Sequence, residues 1–252
     1  MTVGDAHCHL ADLENPDAAL AEARGAGVSA ILAVSMTPDD ALRSLELKRR
    51  HPGLVFAGVG LHPSRVPGLS DEEAAAELGL VADGVGAADF VGEIGLDYKD
   101  APDAPDQRRQ REILDRLLDL AERARLPVNM HSRRADGEIV DIAAAFTART
   151  GLPALLHWFT HSIRLARRCA GAGVFISVGP SIEIDPAQSR VARAIDPEFL
   201  LVETDSPVEY AGVRAAPSWA PRVARALAAA RGESPDRVGE RLSVNLARYL
   251  GR

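Results

Sequence analysis

The sequence has very few cysteines and no long apolar segment. Its two cysteines, Cys8 and Cys169, lie far apart, which excludes a disulfide framework and predicts two buried thiols. No apolar run approaches the roughly 20 residues that cross a bilayer, and no basic segment precedes an apolar run of signal-peptide length. We therefore expect a cytoplasmic protein without membrane association, and we infer no obligate protein partner.

Basic charge is also scarce. Lysine occurs only at positions 48 and 99, and the formal net charge is −7. A broad nucleic-acid surface needs an excess of basic side chains, because these displace counterions from the phosphates. The charge balance therefore argues against sequence-independent binding along nucleic acid, although it permits a small, local phosphate site.

The residues that are present can build a substantial core. The chain has 252 residues, of which 46% are hydrophobic and 26% are charged, a composition typical of globular proteins. Its length suits one α/β barrel, since such barrels routinely reach this size as a single domain. We expect residues 1–252 to form one barrel domain.

Short apolar runs alternate along the chain with longer helical patterns. The longest helix, with an apolar stripe, is predicted from about Asp106 to Arg125. The nearly all-apolar strands indicate a parallel sheet that is covered on both faces, which favours an α/β fold of the (β/α)8 TIM-barrel type. A doubly wound open sheet is the alternative, because periodicity does not separate the two. The eight predicted strands lie near 2–5, 30–35, 54–59, 90–93, 128–131, 154–157, 174–178 and 200–204.

Side chains that can bind metal follow or interrupt five of these strands. Alternate residues of a strand share a face, so His7 and His9 could hold one ion while Ala6 and Cys8 pack. A buried carboxylate at Glu93 requires a cation nearby. Because chemistry in a TIM barrel lies at the carboxyl ends of the strands, we expect a metal site there. The complete set is His7, His9, Glu93, His131, His157 and Asp205.

These segments, in this order, resemble those of the TatD family of metal-dependent hydrolases, within the amidohydrolase superfamily of (β/α)8 barrels. The resemblance spans nearly the whole chain. The matching segments are DAHCHL at 5–10, GVGLHP at 58–63, GEIGLDY at 92–98, PVNMHSR at 127–133, HWF at 157–159 and ETDSP at 203–207.

The resemblance implies a centre of two divalent ions, for which Zn, Mn, Mg, Fe and Ni are all compatible with the ligand types. His7, His9 and Asp205 are expected on one ion, with His131 and His157 on the other. Glu93 is expected to bridge them, whereas related branches use a carbamylated lysine, and neither lysine here ends a strand. Glu93 and Asp205 are the predicted catalytic residues. Asp205 would accept the proton of a metal-activated water, or would serve only as a ligand.

Four further residues each have more than one open interpretation. His62 is a predicted substrate-binding residue or makes a loop hydrogen bond, and Arg133 is predicted to bind a substrate phosphate or to pair with Glu203 or a loop carboxylate. Asp5 would support the strand end or orient a ligand histidine, or would instead cap a helix or stabilise a loop. His161 is predicted to start a helix rather than to bind metal.

The chain departs from the family pattern around the expected mouth of the site. Trp158 stands where many members have cysteine, and it could flank a base or simply pack. The segment Val208–Pro221 offers only Arg214, where many members have a basic, asparagine-containing loop. The segment Gly179–Ile182 lacks a common aromatic–lysine pair. These departures remove positive charge near the site.

Three functions fit this pattern. The leading prediction is a phosphodiester hydrolase of the deoxyribonuclease type, acting on strand ends in the manner of a 3'-5' exonuclease, with single-stranded DNA or another phosphodiester as substrate. The second is a metal-dependent hydrolase of a carboxylic ester or amide, such as an aminoacyl-tRNA ester. The third is a non-enzymatic barrel that retains the metal; the six-ligand set disfavours it, because structural zinc sites are normally closed by four ligands.

Overall fold

The computed structural model describes residues 1–159 and 162–252, so the interpretation of His161 lies outside the described residues. Strands and helices alternate along the chain, and one short hairpin follows the eighth strand. The strands are β1 (Val3–Cys8), β2 (Val28–Ala33), β3 (Val55–Val59), β4 (Phe90–Asp97), β5 (Val128–Arg133), β6 (Ala154–Leu156), β7 (Phe175–Val178), β8 (Leu200–Val202), β9 (Glu209–Tyr210) and β10 (Val213–Arg214). The helices are α1 (Pro16–Ala26), α2 (Pro38–Arg50), α3 (Asp71–Gly84), α4 (Ala104–Ala124), α5 (Asp136–Thr150), α6 (Ile163–Gly171), α7 (Pro186–Ala194), α8 (Ala220–Arg231) and α9 (Pro235–Tyr249).

The first eight strands form one parallel sheet in sequence order, from β1 to β8. The sheet closes just beyond β8. There the Asp205 amide donates to the His7 carbonyl at 3.0 Å, and the His9 amide donates to the Ser206 carbonyl at 2.8 Å. The predicted (β/α)8 barrel is therefore confirmed, and the open doubly wound alternative is wrong because the two end strands meet.

Helix starts follow side-chain capping. Asn15 accepts a hydrogen bond from the Ala18 amide at the start of α1, in the N-cap position that asparagine favours. Helix α4 begins two residues before its predicted start at about Asp106. Asp103 caps this helix by accepting from the Asp106 amide at 2.9 Å, so the helix begins at Ala104.

Strand β1 extends to Cys8, three residues beyond its predicted end, and all of its residues are buried. Its polar residues look like a strand terminus in the sequence. In the fold they have partners inside the barrel: Asp5 accepts from the Thr204 hydroxyl at 2.6 Å, and His7 contacts Asn129. A polar residue whose hydrogen bonds are satisfied can stay in a buried strand.

The apolar stripe of α4 is buried against the barrel, as predicted, and consists of Ile113, Leu114, Leu117, Leu118 and Ala121. Both cysteines are buried free thiols, also as predicted. Among the described residues, no helix combines the length and the apolarity that crossing a membrane requires.

A small ion-pair network joins α8 to α9. Glu233 lies between them, accepts from Arg231 Nε at 2.6 Å and also pairs with Arg241. Arg231 reaches further and donates to the Ile195 carbonyl at 2.9 Å, beyond the end of α7. The network thereby ties three helices together at a distance from the strand ends where the polar residues gather.

Candidate metal centre

The six predicted ligands meet at the carboxyl end of the barrel. They border a pocket of about 530 Å³ whose lining includes His9, Glu93, His131, His157 and Asp205. His7 lies beneath this pocket, fully buried. Residues that are up to 198 positions apart in sequence thus share one site because each stands at or near the end of a barrel strand.

The first group of ligand atoms comprises Nε2 of His7, Nε2 of His9, Oε2 of Glu93 and Oδ1 of Asp205. The two histidine nitrogens lie 3.3 Å apart. His7 Nε2 lies 3.4 Å from the Glu93 oxygen and 3.6 Å from the Asp205 oxygen. His9 Nε2 lies 3.5 Å from the Glu93 oxygen and 3.3 Å from the Asp205 oxygen. Four ligands placed tetrahedrally about 2.1 Å from zinc lie about 3.4 Å from one another. The group therefore has the spacing of a tetrahedral metal site.

The second group comprises Nδ1 of His131, Nε2 of His157 and Oε1 of Glu93. The carboxylate oxygen lies 3.0 Å from the His131 nitrogen and 2.9 Å from the His157 nitrogen, which are themselves 3.2 Å apart. Three protein ligands with a position left for water or substrate are typical of catalytic metal sites. This group could hold a second ion.

Glu93 contributes one oxygen to each group and stands at the centre of the site. Glu93 is 1% exposed. Burial alone would raise its pKa, but the imidazoles of His62, His7 and His157 hold the pKa of Glu93 well below its usual range. Oε2 of Glu93 and Oδ1 of Asp205 are buried without a hydrogen-bond partner. Unpaired buried oxygens are costly, and a cation between them would satisfy both.

The imidazoles of this site are surrounded by carboxylates that favour protonation. Burial lowers the pKa of His9, but Asp205 and Glu93 raise it more, to about 9. The pKa of His157 is likewise raised, by Glu93 and Glu203 against the effect of burial. A metal ion that binds here therefore replaces protons, since only the deprotonated nitrogen is a ligand.

The second ring nitrogen of each of three histidines faces an oxygen acceptor. His7 Nδ1 lies 3.0 Å from Oδ1 of Asn129, whose Nδ2 donates to the Ala6 carbonyl at 3.0 Å. The Asn129 amide can bond the Ala6 carbonyl only through its NH2 group, so its oxygen must face His7. Because that oxygen accepts a hydrogen bond, His7 carries its proton on Nδ1. The Nε2 lone pair is thereby directed into the site, as ligand-orienting partners usually arrange.

His131 and His157 have carboxylates in the equivalent place. His131 Nε2 lies 3.2 Å from Oδ2 of Asp97, and His157 Nδ1 lies 3.8 Å from Oε1 of Glu203. Glu203 is fully buried and also accepts from the Ser177 hydroxyl. Both arrangements leave the other ring nitrogen facing Glu93.

His62 has the opposite environment. Its Nδ1 accepts from the Ser64 amide at 3.2 Å, so the proton of the neutral ring belongs on Nε2, 3.3 Å from Oε1 of Glu93. Burial lowers the pKa of His62, which favours this neutral form. The loop hydrogen bond considered for His62 is therefore present, while its Nε2 remains a donor that faces the pocket.

Arg133 ends β5, is exposed and lines the pocket. The ion pair considered between Arg133 and Glu203 does not form, because Glu203 is buried beside Ser177 and His157. No other carboxylate pairs with Arg133 in the described part of the chain either. Phe159 is buried in the core, whereas Trp158 is half-buried at the pocket.

Asp5 supports the site from below. It accepts from the Thr204 hydroxyl and amide, at 2.6 and 2.9 Å, and from the His7 amide at 3.3 Å. Burial raises the pKa of Asp5 to about 8, although these hydrogen bonds lower it. Its contacts join the backbone on both sides of the barrel closure, as expected of a residue that supports the strand end.

Two non-glycine residues of the site adopt left-handed backbone conformations, Trp158 at φ 43° and Asp205 at φ 50°. Such conformations cost about 1–3 kcal/mol each and concentrate at functional sites. Close approach of β4 to β5 also requires glycine: a Cβ on Gly95, at φ 145°, would lie 2.1 Å from the His131 carbonyl oxygen.

Sequence reasoning did not assign Asn129 or Asp97. The alternation of side chains along a strand would have indicated both, because residues two or four apart share a face. Asn129 precedes His131 by two residues in β5, and Asp97 follows Glu93 by four residues in β4. Their side chains thus point to the same face as the predicted ligands.

Comparison with known proteins gives the same assignment over the length of the chain. The family model described as TatD related DNase matches residues 4–251. A Mycobacterium tuberculosis protein named uncharacterized metal-dependent hydrolase TatD is 32% identical over 264 residues, covering 98% of this chain and 97% of the relative. The human protein named deoxyribonuclease TATDN3 is 30% identical over 216 residues, covering 81% of this chain and 77% of the relative. The crystal structure of the TatD homologue YjjV from Escherichia coli superposes with a TM-score of 0.86 at 29% identity, covering 99% of this chain and 98% of that one. The chain therefore belongs to the TatD family of metal-dependent hydrolases.

Proposed function

We propose that this protein hydrolyses phosphodiesters at a centre of two divalent ions bridged by Glu93. The observation that supports the proposal is that the two oxygens of the Glu93 carboxylate face different pairs of histidines. Oε2 faces His7 and His9, while Oε1 faces His131 and His157. His7, His9 and Asp205 would hold one ion, and His131 and His157 the other. The name of the human relative, a deoxyribonuclease, supports the substrate class.

Two bound ions would polarise the phosphoryl group and lower the pKa of the attacking water. The chain supplies the remaining functions. Asp205 lines the pocket, and His9 and His7 hold its pKa below its usual range against the effect of burial, so its carboxylate is ionised. It accepts the proton of the attacking water. His62 donates a hydrogen bond from Nε2 to the phosphate or to the leaving oxygen. Arg133 binds a phosphoryl oxygen with its guanidinium.

The test is hydrolysis by purified protein reconstituted separately with Mn²⁺, Zn²⁺, Mg²⁺, Fe²⁺ and Ni²⁺. Probes are bis(p-nitrophenyl) phosphate, p-nitrophenyl phosphate, p-nitrophenyl acetate and single-stranded DNA. We expect turnover of the diester and shortening of the DNA. Glu93→Ala should lower kcat/KM at least about 1000-fold, because several kcal/mol of transition-state stabilisation depend on the metals.

The control is circular dichroism of Glu93→Ala, which separates loss of chemistry from loss of fold. Absence of diester hydrolysis with every metal would overturn the proposal. Hydrolysis of the acetate ester without any diester hydrolysis would assign the protein to the carboxylic ester class instead.

A further inference from the structure

The pocket above the candidate metal centre has the size of a small-ligand site. Its volume of about 530 Å³ falls within the usual range for small-molecule pockets, roughly 300–1,000 Å³. Proteins that hold long single strands use a positively charged groove along the backbone together with aromatic stacking platforms. The cavity here has small-ligand size and is lined by residues at the strand ends and in the loops that follow them.

Arginine and lysine are nearly absent around this pocket. Arg133 is the one arginine or lysine among its lining residues in the described parts of the chain. In the loops that join each barrel strand to the next helix, the sequence has basic residues only at Arg65, Lys99, Arg134 and Arg214. Arg65 pairs with Glu77 at 2.7 Å, and Arg214 lies 3.7 Å from Glu209. These loops therefore offer few cations to a second or third phosphate.

The pocket lining includes three apolar side chains, one of which is aromatic. These are Met36, Trp158 and Val208, and all three are half-buried. The Trp158 ring contacts the Tyr210 ring, with centroids 5.2 Å apart, and Trp158 Nε1 donates to Oε1 of Gln188 at 3.3 Å. These contacts fix the indole plane while leaving part of it accessible, as a stacking surface for a planar group requires.

We propose that the substrate is a short phosphodiester: one phosphate lies between the metal centre and Arg133, and one nucleobase or aryl ring packs on Trp158. This inference rests on the proposed function. It predicts that a dinucleotide is used as well as a long strand, because neither the pocket nor its loops bind additional phosphates.

The experiment compares thymidylyl-thymidine, the same dinucleotide with one base replaced by an abasic sugar in either position, and a 20-residue oligothymidylate. Wild-type enzyme should show kcat/KM values for the dinucleotide and the 20-mer within about threefold. Each phosphate neutralised by a protein cation contributes about −0.7 to the slope of log affinity against log salt for single strands. With Arg133 alone, the slope for the 20-mer should lie between 0 and about −1.

Variants test the ring contact. Base–aromatic stacking contributes about 1–3 kcal/mol, so Trp158→Ala should lower kcat/KM for the dinucleotide by about 5- to 150-fold and leave one of the two abasic analogues unaffected. Trp158→Phe should retain most activity. Trp219→Ala is the matched control, because Trp219 lies outside the pocket lining and packs under Arg222.

The outcomes separate the two proposals. If diesters are hydrolysed but the 20-mer exceeds the dinucleotide more than tenfold with a salt slope steeper than −2, the substrate is a long strand and this inference alone is wrong. An equal response of Trp158→Ala and Trp219→Ala would likewise refute the stacking contact. If no diester is hydrolysed with any metal, the proposed function fails and this inference fails with it.

Discussion

Replacing Asn129 with leucine tests whether the fold orients a ligand histidine. The substitution keeps the number and branching of the side-chain heavy atoms but removes the hydrogen bonds to His7 Nδ1 and to the Ala6 carbonyl, both at 3.0 Å. The Ala6 carbonyl and the His7 ring then lose their partners inside a fully buried strand. At about 1–3 kcal/mol for each of these two buried groups left unsatisfied, the metal-free protein should lose about 2–6 kcal/mol of unfolding free energy.

The larger consequence concerns the metal. Without Asn129, His7 can place its proton on either nitrogen and can rotate, so part of the population presents no lone pair to the site. Loss of such an orienting partner typically weakens metal binding 10- to 100-fold, equivalent to about 1.4–2.7 kcal/mol. Competition with a chromophoric chelator measures the affinity, and urea denaturation of the chelator-treated protein measures stability.

Asn245→Leu is the matched control. Asn245 is also a buried asparagine, and its Nδ2 donates to the Pro197 and Leu200 carbonyls at 2.7 and 2.9 Å, away from the site. Both variants should lose stability, but only Asn129→Leu should lose metal affinity. If the two variants bind metal within twofold of each other, the orienting role of Asn129 is refuted.

Three further predictions concern single positions. Arg133→Ala should lower kcat/KM for a dinucleotide about 10- to 150-fold, because a charge-assisted hydrogen bond contributes about 1.5–3 kcal/mol. The control is Arg134→Ala, at an exposed neighbour outside the pocket lining, which should change kcat/KM less than twofold. Equal effects of the two substitutions would exclude phosphate binding by Arg133. Gly95→Ala should reduce the unfolding free energy by about 2–6 kcal/mol in urea denaturation, since the new methyl group overlaps the His131 carbonyl at a positive φ, and a loss below 1 kcal/mol would contradict the packing described. The two arginine partners of Glu233 lower its pKa in the folded protein. The ionised carboxylate therefore stabilises the fold fully above the unfolded pKa of about 4.3, and this stabilisation disappears as the pH falls through the folded pKa. Glu233→Gln should therefore lower the Tm at pH 7, by the equivalent of about 1 kcal/mol or less, and match wild type at acid pH; a difference that persists at acid pH would show another cause.

Sequence alone predicted the barrel and the six candidate ligands because both depend on local pattern. Apolar strands covered on both faces alternate with helices, and a histidine or carboxylate at a strand end stands out against them. The family resemblance added the division of ligands between two ions, which no spacing determines. The position of Glu93 between two pairs of histidines agrees with that division.

What the sequence could not predict depends on contacts between distant segments. The extension of β1 through His7 requires Thr204 and Asn129 as partners, and these are nearly 200 and more than 120 residues away. His62 turns a protonated Nε2 toward Glu93, whereas His131 turns its Nδ1 lone pair there, because the Nδ1 of His62 meets an amide donor and the Nε2 of His131 meets the Asp97 carboxylate. Residue type is the same in both, so only the fold separates them.

The central claim is that Glu93 joins two metal ions, and the metal content of the reconstituted protein tests it most directly. Equilibrium dialysis against Mn²⁺, followed by elemental analysis, should give two ions per chain for wild type. His131→Ala should give one, because the group of His7, His9, Glu93 and Asp205 remains complete. Saturation of the wild-type protein at a single ion, or at none, would contradict the binuclear account.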